Sequence, residues 1–379
     1  MVIDTVLQST TITNLGALQR LVEALCREPI VAVDNESNSL FAYREQVCLI
    51  QFSTPAADYL VDPLQLEDLS ALADLFGRPE VEKVFHAAEY DLICLKRDFH
   101  FEFANLFDTM LAARILGRQA VGLGAMLEVE FGVKMDKRHQ RANWGQRPLP
   151  PHLLDYARLD THYLIPLRDC LRQELLEKDL WQLACEDFTR ICLTNCQAPE
   201  EKIPLCWRIS GAYDLTPQQA AILLELCRYR DRSARALNRP LFKVMNDQTL
   251  LAIARTPPRN LNELGLLPGM SQNQIQRHGA QLLEAVQRGL LAKTIQPPRP
   301  RGPNEQLLKR LERLRQWRKQ AGLKMGVSSD VVLPRDLLYT LAEQNPRNME
   351  ELAALMHEVP WRLEHFGDQI LEALRYKEK

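Results

Sequence analysis

The chain has 379 residues, 46% of them hydrophobic and 25% charged, with a formal net charge of −2, an ordinary globular composition. That length allows two or three domains with ample core, and no apolar run approaches the roughly 18 residues that a membrane span needs. Met1-Val2-Ile3-Asp4-Thr5 lacks the basic-then-apolar plan of a signal peptide, and the nine cysteines are odd in number without a paired C-x2-C pattern, so a cytoplasmic protein with reduced thiols is expected.

In chain order, the apolar run Ile30–Val33 predicts a buried strand with Asp34 and Glu36 at its tip. Residues two apart on a strand project to the same face, so both carboxylates reach one side while Asn35 points to the other. Val47–Phe52 and Tyr59–Val61 predict two further strands, close enough to the first for antiparallel hairpins. A helix over Glu67–Phe76 then leads to a strand at Lys83–His86, which can run parallel. Asp91 follows within the first turn of a helix over Ala88–Asp98.

Helices are predicted over Thr109–Leu116, Leu123–Phe131 and Pro151–Lys178, the last opened by proline at a first-turn position. Asp108 is placed to cap the Thr109 helix in preference to binding a metal. Tyr156 and Asp160, four apart, stack on one helical face.

Single D-x-E or Y-x3-D matches are expected by chance among 49 acidic residues. The ordered series is more specific: strand-borne Asp34 and Glu36, Asp91 after a second strand, then helical Tyr156 and Asp160. Four convergent carboxylates can hold two hard divalent ions such as Mg²⁺ or Mn²⁺. Such a pair, about 3.5–4 Å apart, suits in-line phosphoryl displacement. The Tyr156 phenol is placed to orient or help deprotonate the attacking water.

Further substrate-side candidates are His86, Arg141, Trp144 and Arg147, with Tyr43 and Gln51 at the same level. Arginine forks match phosphate oxygens and indole can stack on an unpaired base, although Trp144 can equally be core and a histidine ending a buried strand, as His86 does, is more often packed and hydrogen-bonded than a ligand.

These pieces resemble the DEDD exonucleases of the tyrosine-bearing subclass and, within them, the ribonuclease D family. Val31-Ala32-Val33-Asp34-Asn35-Glu36-Ser37 is similar to the first motif, with Asn35 where the family usually has threonine. Val84-Phe85-His86-Ala87-Ala88-Glu89-Tyr90-Asp91-Leu92 is similar to the second and Tyr156-Ala157-Arg158-Leu159-Asp160 to the third. Phe107–Ala113 and the series Asp136, Lys137, Arg141, Trp144, Arg147, Pro148 extend the likeness.

The resemblance implies a ribonuclease H-like α/β domain over residues 1–200, with a further parallel strand near Asn105–Phe107. It also implies Asp34, Glu36, Asp91 and Asp160 as ligands of two metal ions, and 3′→5′ hydrolysis of RNA 3′ ends, transfer RNA precursors among them. A DNA-directed exonuclease and a catalytically idle RNA-binding protein are the alternatives.

Residues 1–200 hold 19 Lys and Arg against 30 Asp and Glu, and residues 201–379 hold 28 against 19. The basic half suits nucleic-acid phosphates. It is also a repeat: a gapless shift of 88 residues lays Leu226-Cys227-Arg228-Tyr229-Arg230 on Leu314-Arg315-Gln316-Trp317-Arg318. The same shift lays Pro258-Arg259-Asn260 on Pro346-Arg347-Asn348.

Each copy resembles the HRDC domain. The division expected is 201–295 for the first all-α copy, a proline-rich linker at 296–303 and 304–379 for the second. The second copy has Val327-Ser328-Ser329 where the first has Arg239-Pro240-Leu241, and is expected to be mainly structural. No phosphate-loop motif G-x4-G-K-[ST] occurs, so a helicase and a nucleotide cofactor are excluded. A monomer with no membrane association is expected.

Overall fold

A computed structural model describes residues 9–194, 205–297 and 304–375. The expected boundary at 200/201, most of the linker and Cys196 lie outside the described residues. By contact, residues 9–37, 47–194 and 304–375 form one compact unit, and residues 38–46 and 205–297 form another. Among the described residues no helix is long and apolar enough to cross a membrane.

The first unit is built on a six-stranded sheet: β1 (Thr10–Ile12), β2 (Ile30–Ser37), β3 (Val47–Ser53), β4 (Asp58–Val61), β5 (Glu82–Phe85) and β6 (Leu106–Asp108), in the order β1-β4-β3-β2-β5-β6. β2, β3 and β4 pair antiparallel, as their short connections dictate, while β5 and β6 add in parallel beyond β2. β1 carries no sequence signal of its own and pairs in parallel with β4.

Alternation along the strands makes two cores. Val31, Val33, Ile50, Phe52 and Phe85 join α1 (Leu15–Leu25), α2 (Leu72–Gly77) and α3 (Glu89–Phe99) on one face. Ala32, Val84 and Phe107 meet α4 (Thr109–Ile115), α5 (Leu123–Phe131), α7 (Leu164–Glu177) and α8 (Trp181–Cys192) on the other, and Leu49 and Leu60 meet α6 (Pro151–His162) there.

The expected helix over Pro151–Lys178 is two helices, broken at Tyr163 (φ −99°, ψ 1°). Pro166 explains the break: it lacks an N–H, and its ring clashes with the carbonyl four residues back, His162.

The two repeat copies fold alike. α9 (Pro217–Ala236), α10 (Leu241–Val244), α11 (Asp247–Arg255), α12 (Leu261–Gly265) and α13 (Gln272–Leu291) form the first. α14 (Glu305–Met325), α15 (Ser329–Val332), α16 (Arg335–Gln344), α17 (Met349–Leu355) and α18 (Pro360–Arg375) form the second at the same 88-residue offset.

Matched hydrogen bonds support the register. Arg230 donates to the Met245 carbonyl at 3.1 Å and Arg318 to the Leu333 carbonyl at 2.9 Å, and the Arg259 and Arg347 amides donate to Glu263 and Glu351 at 2.8 Å each.

The second copy belongs to the first unit. Arg362, fully buried, donates to Glu186 (2.8 Å), Asp187 (2.9 Å) and the carbonyls of Val331 (2.8 Å) and Val332 (3.2 Å), joining α18 to α8. Val327, Val331 and Trp361 pack into the core around α4, α7 and α8.

Candidate active site

Asp34 and Glu36 project from the same face of β2, which runs past both acids to Ser37 and does not end before them as the apolar run suggested. Asp34 lies opposite Gln51 of β3, and a register shift falls between Glu36 and Ser37. Asp91 occupies the first turn of α3, entered through Ala87 at φ 62°.

That left-handed turn is held by Asp108. Its buried carboxylate accepts from the amides of Ala87 (3.1 Å) and Ala88 (2.7 Å), and caps α4 by accepting from Met110 (2.8 Å) and Leu111 (3.0 Å). Asp108 is therefore the expected cap of α4 and, beyond that expectation, a clamp on the turn before α3.

Tyr156 and Asp160 descend from α6, which a buried network ties to the sheet. His162 Nδ1 lies 2.9 Å from Asp58, Ser53 Oγ donates to Asp58 at 2.6 Å and meets Thr161 Oγ1 at 2.7 Å, and Arg158 reaches Asp58 at 3.2 Å. Burial pushes the Asp58 carboxyl up, but the bonds from His162 and Ser53 outweigh it and hold it below its ordinary range.

Asp34, Glu36, Tyr156 and Asp160 line one open cavity of about 580 Å³, together with His86, Gln140 and the Gly122–Ala125 turn that starts α5. Burial pushes Asp34 up to about 7. Glu36 rises through burial and then the charges of Asp34, Asp160 and Asp91; Asp91 rises through burial, Asp34, Asp108 and Asp160. Asp160 rises through burial and Asp34, against a hydrogen bond from Tyr156.

All four acids thus repel one another at one place. Among the described residues no group of three or more acidic, histidine or cysteine side chains stands close enough together to hold a metal ion as placed here. The donor set nevertheless fits hard cations: carboxylate oxygens whose mutual repulsion a divalent charge would reverse. Gln51 fits as well, because its buried amide, on the sheet face of Asp34, has neither polar atom bonded and can receive the water of a hydrated ion.

The Tyr156 phenol is pushed up by burial and then by Asp160, Glu36 and Asp34, which favours its protonated, donating form. His86 lines the cavity with Nδ1 2.9 Å from Thr109 Oγ1, and burial lowers it to about 4, leaving it neutral. Arg141 is exposed, with no ion-pair partner among the described residues.

Two expected substrate contacts are corrected. Trp144 is 1% exposed and packs with Leu153 and Tyr156, its ring 6.2 Å from the phenol ring, so it supports Tyr156 from the core and cannot stack on a base. Arg147 uses all five N–H donors internally, two on Asp62 at 2.7 Å and three on the carbonyls of Cys48, Trp144 and Gln146. Tyr43 donates to Asp231 at 2.6 Å within the second unit. Sequence reasoning missed Gln140 and Gly122–Ala125, which carry no chemical signature of their own.

Comparison with known proteins identifies the family. A 3′–5′ exonuclease family model matches residues 9–176, and the HRDC domain matches residues 219–286 and 308–374. Ribonuclease D of Pseudomonas paraeruginosa is 30% identical over 92% of this chain and 94% of its own length. The chain belongs to the ribonuclease D family.

The crystal structure of Escherichia coli RNase D, described as an exoribonuclease involved in structured RNA processing, aligns with 98% of this chain and 100% of its own at 27% identity, with a TM-score of 0.70. RRP6-like 3 of Arabidopsis thaliana is 33% identical over 65% of this chain, which spans only 30% of that protein. Divalent-metal dependence comes with this family of exonucleases.

Proposed function

We propose that the chain is a 3′→5′ exoribonuclease that trims structured RNAs, transfer RNA precursors among them, releasing nucleoside 5′-monophosphates as a cytoplasmic monomer. Asp34, Glu36 and Asp160 lining one cavity beside the Tyr156 phenol, with Asp91 outside that lining but within electrostatic reach of all three, carry the reading. These acids would hold two divalent ions, Mg²⁺ or Mn²⁺, which when bound supply charge neutralisation and an acidified water.

The residues divide the remaining work. Tyr156, bonded to Asp160 and Gln140, is a fixed donor that orients the attacking water on the carboxylate side of the cavity. Neutral His86, tied to Thr109, offers a ring nitrogen to the terminal nucleotide without adding charge. Arg141 is the exposed cation nearest in sequence to the cavity residue Gln140 and would meet the incoming backbone.

End-labelled RNA and matched DNA strands, incubated with Mg²⁺, Mn²⁺ or chelator, test the reading. Metal-dependent stepwise shortening of RNA is expected, abolished by Asp160→Asn with RNA binding retained. Shortening that survives Asp160→Asn rejects the site, a preference for DNA replaces the substrate, and no shortening of either strand leaves a binding protein.

A further inference from the structure

One wall of the catalytic cavity is formed by the Gly122–Ala125 turn, which brings no side chain suited to metal binding or proton transfer yet lines the same space as Asp34, Glu36 and Asp160. The turn follows α4 by a short connection, residues 116–121, and its two glycines, Gly122 and Gly124, leave the backbone free to take other shapes. Its form therefore depends on what holds the connection.

The connection is held from two sides. Arg118 donates to Glu130 of α5 at 2.5 Å and to Glu174 of α7. The other hold comes from the second HRDC copy, at the turn between α14 and α15. Arg114, in the last turn of α4, donates to Asp330 of α15. Gly117, at φ 76°, lies so near that turn that a Cβ in its place would stand 2.5 Å from the Gly326 carbonyl oxygen. Val327 and Val331 enter the core that contains Leu116 and against which Val121 and Leu123 also pack. An ion pair, a backbone approach and apolar packing thus meet the connection just ahead of the cavity turn.

The repeat shows how the second copy is fitted for this contact. Gly326 and its counterpart Asn238 are both left-handed, at φ 70° and φ 45°, so the turn is common to the two copies. Its side chains are not. The 88-residue offset sets Val327, Asp330 and Val331 against Arg239, Phe242 and Lys243. The first copy therefore lacks both the carboxylate that receives Arg114 and the two apolar residues that pack beside it.

We propose that the α14–α15 turn of the second copy is a positioning element of the exonuclease site, in which Asp330 and Gly326, acting through Arg114 and Gly117, hold the Gly122–Ala125 wall in the form that receives the RNA 3′-terminal nucleotide. The inference rests on the exoribonuclease reading for its ligand. None of these four residues lines the cavity. The wall carries no group that gives or takes a proton, so loosening it should raise KM and leave kcat nearly unchanged.

The test measures metal-dependent mononucleotide release from a trinucleotide by the full-length protein and its Arg114→Ala, Asp330→Ala and Gly117→Ala variants. Each ion-pair variant should raise KM about 3–5-fold, the reach of a partly exposed pair, with kcat within about 2-fold of the parent. The double variant should be no worse than either single one, because the two changes remove one interaction. Gly117→Ala should raise KM at least ~10-fold, since it adds left-handed strain to the clash with Gly326. Arg190→Ala is the control: it breaks another ion pair to the second copy, with Asp336 of α16, on α8 and away from the α4–α5 connection, and should leave KM unchanged.

Hydrogen exchange of the amides of residues 119–125 reads the hold without turnover. Exchange should quicken in Arg114→Ala and Asp330→Ala and stay at the parent rate in Arg190→Ala. Unchanged KM and exchange in both ion-pair variants overturn the proposal, as does an equal rise of KM in Arg190→Ala or a double variant whose effect is the product of the two. A parent without activity, with exchange altered as expected, would mark failure of the exoribonuclease reading and not of the hold.

Discussion

Replacing Arg362 by Met should be among the most destabilising single changes available in this chain. The guanidinium is fully buried and bonded to two carboxylates and two carbonyls, with Glu186 also accepting from the Trp361 amide. Met fills similar volume but removes the charge, stranding Glu186, whose side chain is 6% exposed, and Asp187 at 12%. Breaking a buried pair from one side costs about 3–5 kcal/mol, whereas replacing both sides by apolar groups is often neutral. Arg362→Met should therefore lower the unfolding free energy by about 3–5 kcal/mol. Adding Glu186→Leu should recover most of it, and Glu186→Leu alone should be costly.

Urea unfolding followed by circular dichroism measures the cycle, with mononucleotide release at low temperature as a check that the catalytic cavity persists. A single-variant cost under about 1 kcal/mol, or strict additivity of the two changes, would show that α18 does not dock on α8 through this arginine.

Three other substitutions report on the site and its support. Tyr156→Phe should lower kcat roughly 10²-fold, the scale of losing one fixed donor, with RNA affinity preserved; an unchanged kcat would remove the phenol from the reaction. Trp144→Ala should cost about 3–5 kcal/mol of stability as a core truncation, while Arg141→Ala should leave stability alone and weaken RNA binding; the reverse pattern would restore Trp144 to the substrate path.

Burial lowers Lys83 to about 8, with its ammonium donating to the Arg78 carbonyl at 2.7 Å. The unfolded chain keeps that proton up to about pH 10.5, so the penalty is full below pH 8 and fades as pH rises through that window. Lys83→Met should accordingly stabilise the protein below pH 8 by up to about 3 kcal/mol, with the advantage shrinking toward pH 10.5; a pH-independent difference would refute the assignment.

The acids were legible in the sequence because their order along the chain mirrors the geometry that delivers them. The D-x-E alternation fixes two carboxylates on one strand face whatever the exact strand end, and Y-x3-D does the same on a helix. Asp108 was legible as a cap because it stands immediately before a helix and its partners are local. Arg147 was not, because its decisive partner Asp62 is 85 residues away and nothing local separates an arginine that grips phosphate from one that closes a loop. The same holds for Arg362 and Glu186, 176 residues apart. Pro166 stands inside an otherwise continuous helical pattern, which hides the break it causes at Tyr163. Gly122–Ala125 enters the cavity as a turn shape, to which periodicity and motif spacing are blind.

A cavity built this way sets stability against catalysis, and the opposition can be measured. A carboxyl raised in the folded state binds its proton more tightly there than when unfolded. Stability is therefore full below its unfolded value near pH 4 and falls as pH rises through the folded value. For Asp34, raised to about 7, that alone corresponds to about 4 kcal/mol at about 1.4 kcal/mol per unit; Asp91 and Asp160 move the same way.

Metal-free protein should lose stability between about pH 4 and pH 7, and Asp160→Asn should be the more stable protein near neutrality because one of four repelling charges is gone. Divalent metal should reverse the order, stabilising the parent by binding the folded state alone while leaving the variant nearly unmoved. Thermal melts of both proteins in chelator and in Mn²⁺ decide it. If Asp160→Asn melts below its parent in chelator, the four carboxylates do not share one site and the catalytic assignment loses its electrostatic basis.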